Sequence, residues 1–123
     1  MGEANSAKSV LVLEDSVLVA LAIEAALADR GFEAIVAGSL AAAEERLERV
    51  RPVAALLDVH LPDGNALALA GRLDATGCRV ALCSGMDADA VPAGFDFARR
   101  FRKPIAAEAL ADWVASVVDD PGA

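Results

Sequence analysis

Aromatic residues are scarce in this chain of 123 residues: one Trp, four Phe and no Tyr. Bulky rings therefore cannot fill the interior, and the 56% apolar content is carried by small side chains, an Ala-rich composition that suits helices packed closely on a sheet. Long hydrophobic runs are also missing. Stretches such as Val17 to Ile23 fall far short of the roughly 20 residues that a membrane span requires, so no membrane insertion is expected. The opening residues, MGEANSAKSV, lack the basic start and apolar core of a secretory signal, and a cytoplasmic protein is expected. Two cysteines, Cys78 and Cys83, and a single His are too few for a zinc site; both thiols read as reduced, with Cys83 in the core. Positive charge is in deficit, 11 basic against 19 acidic residues for a net −8, which disfavours nucleic acid and anionic lipid as direct partners. The length leaves no room for a second core, which excludes a two-domain enzyme.

What is present is an alternation of short apolar runs with longer helical stretches, five times over, without internal repeats. The class is α/β. Val10 to Leu13 reads as a strand ending in Glu14 and Asp15; Ser16 caps a helix from Val17 to about Arg30, which Gly31 terminates. A second strand over Ala34 to Ala37 leads through the cap candidate Ser39 into a helix from Leu40 to about Val50, with Glu45 and Arg49 paired on its outer face and Pro52 breaking it. Val53 to Leu57 is continuous enough for a strand buried on both faces, and it stops at Asp58. After the loop VHLPDG, a helix is expected from Asn65 to about Ala75, on the spacing of Leu67, Ala70 and Leu73. Val80 to Cys83 is the fourth strand, ending at Ser84 and Gly85. Pro92 and Gly94 then allow at most a short helix around Asp87 to Val91. A strand near Arg100 to Arg102 precedes Lys103 and Pro104, and a last helix from about Ala106 to Val118 aligns Leu110, Trp113, Val114 and Val117. The expected organisation is a tail at 1–8, one domain at 9–119 and a tail at 120–123.

In a parallel sheet of this kind, ligands bind beyond the carboxyl ends of the strands. Those ends carry Glu14 and Asp15, then Asp58, Ser84 and Lys103. Three carboxylates brought together repel unless a cation joins them or one takes up a proton, and hard oxygen ligands suit Mg²⁺. A carboxylate beside that ion, an ammonium and a hydroxyl is placed to attack a phosphoryl group. Taken singly, each acidic residue could equally be a helix cap, and Ser84 before Gly85 could be a turn residue. Lys103 stands out because nine of the 11 basic residues are Arg and the other Lys, Lys8, lies in the N-terminal tail. A compact point charge is not interchangeable with a planar fork.

The segments VLVLEDS, LLDVHLPDG, CSG and RKP, in this order, resemble the receiver (CheY-like) domain of two-component response regulators, over nearly the whole chain. The resemblance implies a flavodoxin-like, three-layer sandwich with a five-stranded parallel sheet of order 2-1-3-4-5. It implies a single-domain response regulator that takes a phosphoryl group from the phosphohistidine of a sensor histidine kinase, or from a histidine phosphotransfer protein, with Mg²⁺. Asp58 would be the phosphoacceptor. Asp15 would bind the metal directly, Glu14 mainly through water, and the backbone carbonyl of His60 would add a further oxygen. Ser84 would hydrogen-bond the phosphoryl group and Lys103 would pair with its oxygens; the Lys103–Pro104 bond is often cis in the family, and Pro62 and Gly64 would shape the acceptor loop.

The sequence departs from the family at Arg100, three residues before Lys103, where an aromatic is usual, and at Phe101, where an aliphatic is typical. Arg100 is thus a switch candidate beside Ser84, either moving to an acidic group or the phosphoryl group, or else a solvated edge residue. The interval from Ser84 to Lys103 is short, so the helix expected there should be short, irregular or absent. The first helix has Glu24 as its only charge between Val17 and Ala28. Its expected stripe is Leu18, Leu21, Ala22 and Ala25, with Val19 and Ile23 extending the apolar surface; a surface reaching Val17, Leu18 and Leu21 could dock the kinase, mediate self-association or simply pack in the core. The side chain of His60 reads as a loop residue beside the acceptor and Trp113 as core.

The leading expectation is therefore a non-enzymatic phosphoacceptor that signals by protein contact or drains phosphate from a kinase. The alternatives are a phosphorylation-independent binding scaffold and an aspartyl-phosphate phosphohydrolase. The latter is weakened because His60 occupies the place of the usual acidic acid/base, and because no cap domain fits within the length.

Overall fold

The computed structural model describes residues 8–85 and 91–118. Five parallel strands form the main sheet: β1 (Ser9–Leu13), β2 (Glu33–Ala37), β3 (Ala54–Asp58), β6 (Arg79–Ser84) and β7 (Arg99–Arg102), in the order β2-β1-β3-β6-β7. A two-stranded antiparallel ribbon, β4 (His60–Leu61) and β5 (Gly64–Asn65), follows β3. Among the described residues there are four helices: α1 (Val17–Asp29), α2 (Leu40–Leu47), α3 (Leu67–Ala75) and α4 (Ala107–Val118). This is the expected flavodoxin-like topology, the third and later strands of the sheet being β3, β6 and β7.

The strand periodicity of two divides the interior into two layers. Leu11, Leu13, Ala55, Leu57, Val80 and Leu82 face α2 and α3, where they meet Ala43, Leu69, Ala70 and Leu73. Val10, Val12, Ala54, Leu56, Ala81 and Cys83 face α1 and α4, where they meet Ile23, Leu27, Leu110 and Val114. Every residue of β1 and β3 is buried, which is why both read as uninterrupted apolar runs. Each fully buried Leu contributes roughly 1.5–3 kcal/mol.

Local signals fix the ends of α1. The Ser16 hydroxyl accepts the Val19 N–H at 3.3 Å. At the other end Gly31 takes φ +86°, and the N–H groups of Gly31 and Phe32 return to the carbonyls of Ala28 and Leu27, both at 3.0 Å. This is a left-handed helix stop that favours glycine. Ser39 caps α2 by accepting the Ala42 N–H at 3.1 Å.

Four expectations need correction. The stripe Leu18, Leu21, Ala22 and Ala25 is the exposed side of α1; the buried residues are Ala20, Ile23, Ala26 and Leu27. A helix apolar all round carries no sequence signal for which face turns inward. Second, α2 stops at Leu47, its last side chain on the core, and a tighter turn follows, with Arg49 N–H on the Arg46 carbonyl at 3.0 Å. Arg49 therefore lies outside the helix and does not form the expected i,i+4 pair with Glu45. Third, α3 begins at Leu67 because Gly64 and Asn65 pair with Leu61 and His60. Fourth, Trp113 is half-buried rather than enclosed, edge-on to Phe101 with centroids 6.3 Å apart.

The helix expected at Asp87 to Val91 lies, except for Val91, outside the described residues. From Val91 to Ala98 the chain is irregular, with Val91 and Phe95 leaning on the α2/α3 side of the core. No helix among the described residues is long and apolar enough to cross a membrane.

Candidate functional site

Parallel register aligns the carboxyl ends of the strands. Leu13 stands opposite Leu57, Asp58 opposite Cys83, and Ser84 opposite Arg102, so the residues just beyond Leu13 and Leu57 converge at one edge of the sheet. Glu14, Asp15 and Asp58 each place a carboxylate oxygen there, all within 4.8 Å of one another. Glu14 and Asp58 are buried, at 7% and 8% exposure, and Asp15 is exposed.

Lys103 reaches into this cluster from beyond β7. Its Nζ donates to Asp58 Oδ2 at 3.0 Å and to Glu14 Oε1 at 3.4 Å, while Glu14 Oε2 accepts the Ser16 N–H at 3.0 Å. Partial burial pulls the Lys103 pKa down, but the hydrogen bond and charge of Asp58, joined by the charge and hydrogen bond of Glu14, outweigh it, and the ammonium is held above its ordinary range. One ammonium against three carboxylates leaves an excess of negative charge, and an all-oxygen donor set of this kind fits a hard divalent cation. The bond from Lys103 to Pro104 is cis.

Ser84 is brought to the same edge: the Lys103 N–H donates to its carbonyl at 2.8 Å, and its side chain is half-buried. His60 follows two residues after Asp58 with its side chain exposed, paired with Asn65 across the ribbon. Arg100 lies on the exposed edge strand, three residues before the cluster's lysine and in register with Leu82. Phe101, not Arg100, is the β7 side chain that packs inward, with Arg99 stacked over its ring at 4.5 Å.

Both cysteines are free, and Cys83 is buried as expected; Cys78 is buried as well. Burial pushes the Cys83 thiol up to about 12, with Lys103 drawing it down and Asp58 and Glu14 pushing it up. Burial likewise takes Cys78 to about 12, with the Asp74 charge adding to it. Neither is a thiolate at neutral pH.

Two residues escaped the sequence reading. Asp63 accepts the Leu40 and Ala41 N–H groups at 2.9 and 3.1 Å, and Asn65 accepts the Leu67 N–H at 3.0 Å. The dipeptide Asp63–Gly64 signals a turn, but nothing local reveals that its carboxylate caps a helix 23 residues earlier. Beside the acidic cluster, a groove of about 430 Å³ runs between α1 and β2, lined by Val17, Ala20, Leu21 and Glu24 among others. The α1 residues Val17, Leu18 and Leu21 are 71%, 79% and 54% exposed.

No protein-family model and no curated protein matches the chain; its likeness is to solved structures. A CheY-like response regulator receiver domain from Methylobacillus flagellatus is 24% identical with a TM-score of 0.77, over 89% of this chain and 98% of that one. SdrG from Sphingomonas melonis Fr1 is 26% identical with a TM-score of 0.74, over 90% and 96%. A two-component response regulator from Clostridium difficile is 15% identical with a TM-score of 0.81, over 94% and 99%. The chain thus has the fold of the response regulator receiver domains, with its acidic cluster at the carboxyl edge of that fold's sheet.

Proposed function

We propose that this protein is a cytoplasmic two-component receiver that accepts a phosphoryl group on Asp58. The observation that carries the reading is the joint placement of Glu14, Asp15 and Asp58 within 4.8 Å, with Lys103 hydrogen-bonded to Asp58, in a receiver fold. Glu14, Asp15, Asp58 and the His60 carbonyl would hold Mg²⁺. When bound, that ion would supply charge neutralisation for the incoming phosphoryl oxygens.

The chain's own residues account for the rest. Asp58 is buried and fixed at the end of a buried strand, so its carboxylate is presented in one orientation. In the transfer its oxygen forms the new O–P bond as the P–N bond of a phosphohistidine breaks, and the electron pair leaves with the imidazole. Lys103, already oriented by two carboxylates, neutralises charge that develops on the phosphoryl oxygens. The Ser84 hydroxyl donates to one of those oxygens afterwards. Ser84 and Arg100 are the switch candidates; the exposure of Arg100 on β7 is what a solvated edge residue would also show.

The donor is a sensor histidine kinase or a histidine phosphotransfer protein, for which the exposed Val17, Leu18 and Leu21 beside the cluster supply an apolar docking face. Output is by protein contact or by draining phosphate, without turnover of a substrate. Incubation with acetyl phosphate and Mg²⁺, followed by mass mapping of alkali-labile phosphate, tests the reading. Labelling at Asp58 that disappears in Asp58→Asn is expected. No labelling from either acetyl phosphate or kinase would leave a binding scaffold, and rapid turnover of unrelated phosphate esters would indicate a phosphohydrolase.

A further inference from the structure

The loop that follows Asp58 is anchored at several points. The Val59 N–H donates to the Cys83 carbonyl at 3.0 Å and the Ala66 N–H to the Val59 carbonyl at 2.9 Å, so the loop closes on itself. Asn65 binds its far end to the first turn of α3. The remaining anchor crosses to a different helix: both carboxylate oxygens of Asp63 are engaged by consecutive N–H groups, Leu40 and Ala41, at the start of α2. The neighbouring Gly64 has φ +140°, and a Cβ there would stand 3.0 Å from Leu40 Cδ1. The turn is thus both hydrogen-bonded to α2 and seated against it.

The capping of α2 is divided between two residues. Ser39 serves Ala42 from within the helix's own sequence, whereas Asp63 serves Leu40 and Ala41 from the acceptor loop. Two amide hydrogen bonds hold the Asp63 carboxyl below the usual carboxylate range, so it is anionic at neutral pH and suited to a helix N-terminus. His60 lies in the chain between Asp58 and this clamp.

We propose that Asp63 is a positioning residue, which clamps the His60–Asn65 ribbon to α2 and thereby holds the main chain next to Asp58 in the arrangement that the acceptor site needs. The proposal rests on the phosphoacceptor reading of Asp58. Ser39→Ala is its control, since it loosens the same helix without touching the loop.

The test compares the intact protein with Asp63→Ala, Asp63→Asn and Ser39→Ala. The measurements are amide hydrogen exchange of residues 60–65 without metal, Mg²⁺ affinity by calorimetry, and Asp58 labelling by acetyl phosphate. Asp63→Ala should speed loop exchange about tenfold and weaken Mg²⁺ binding about fivefold, because a loosened loop must be ordered on binding. Ser39→Ala should stay within about twofold on both while exchange at the start of α2 rises. Asp63→Asn, which keeps one carbonyl oxygen as acceptor, should fall between them. If Asp63→Ala matches Ser39→Ala in loop exchange and in Mg²⁺ affinity while the intact protein is labelled at Asp58, the positioning role is refuted and the phosphoacceptor reading stands. If the intact protein is labelled by neither acetyl phosphate nor a kinase, the phosphoacceptor reading fails and takes the positioning role with it.

Discussion

Removing the positive charge of Lys103 should expose how strongly the acidic site depends on it. Its Nζ lies 3.0 Å from Asp58 Oδ2 and 3.4 Å from Glu14 Oε1. At 3.0 Å a unit charge pair is worth about 1.4 kcal/mol in water and about 5.5 kcal/mol at an effective dielectric constant of about 20. The Asp58 side chain is 9% exposed but that of Lys103 is 35% exposed, so solvent screening places the pair towards the lower bound. A double-mutant cycle of Lys103→Met and Asp58→Asn should give a coupling free energy of about 1.5–2.5 kcal/mol. Lys103→Met alone destabilises because it leaves Asp58 and Glu14 close together without their counter-ion. Urea unfolding of the four proteins in chelator, at constant ionic strength, measures the cycle. The folded-state pKa of Lys103 is raised from its ordinary 10.5, so its contribution to stability is fully present below that value and is lost as pH rises through the folded-state pKa. A coupling below about 0.5 kcal/mol at neutral pH would place the pair among solvated surface contacts and refute the view of a charge-compensated site.

The cysteines give a second check. With thiols pushed to about 12 by burial, native protein should react with a thiol-specific disulfide reagent at pH 7.5 at least about a hundredfold more slowly than urea-unfolded protein; rapid stoichiometric labelling of the native state would contradict their placement in the core. A third concerns signal transmission along β7. Phe101 lies two residues from Lys103 and meets Trp113 edge-on, so acetyl phosphate with Mg²⁺ should change the emission of the single Trp. Phe101→Leu should keep Asp58 labelling but lose more than about half of that change, since the ring contact is the local coupling; an undiminished change would exclude this route.

Much of the molecule is written in short-range features. Ser16 and Ser39 each cap a helix within three residues of themselves, and β1 and β3 show as apolar runs because both faces are covered. The site was equally readable, because strand ends in a parallel sheet converge by topology: once the strands are placed, Glu14, Asp15, Asp58 and Lys103 must share an edge. What was not readable depends on partners distant in sequence. The inward face of α1 is chosen by contacts of Ile23 and Leu27 with β1, β3 and α4, not by any polar stripe of its own. The ribbon His60–Asn65 consists of strands of two residues, too short for a period to show. Asp63 acts on a helix that precedes it, and a turn motif carries no record of that.

The two ends of the candidate site are built to different standards of rigidity. Glu14 and Asp58 stand at the ends of β1 and β3, which are buried along their whole length, so the backbone that carries the two carboxylates is held by close packing on both faces of the sheet. Lys103 extends from β7, a strand with Arg99, Arg100 and Arg102 exposed and only Phe101 turned inward. If Asp58 is phosphorylated as proposed, the change of charge meets closely packed backbone at β1 and β3 and a more exposed strand at β7, so displacement is expected on the β7 side. On that strand Arg100 is exposed, and Phe101 is the inward ring, edge-on to Trp113. On the proposed reading the β7–α4 contact is where a change of charge at Asp58 would become a change of surface, with the exposed Arg100 part of that surface.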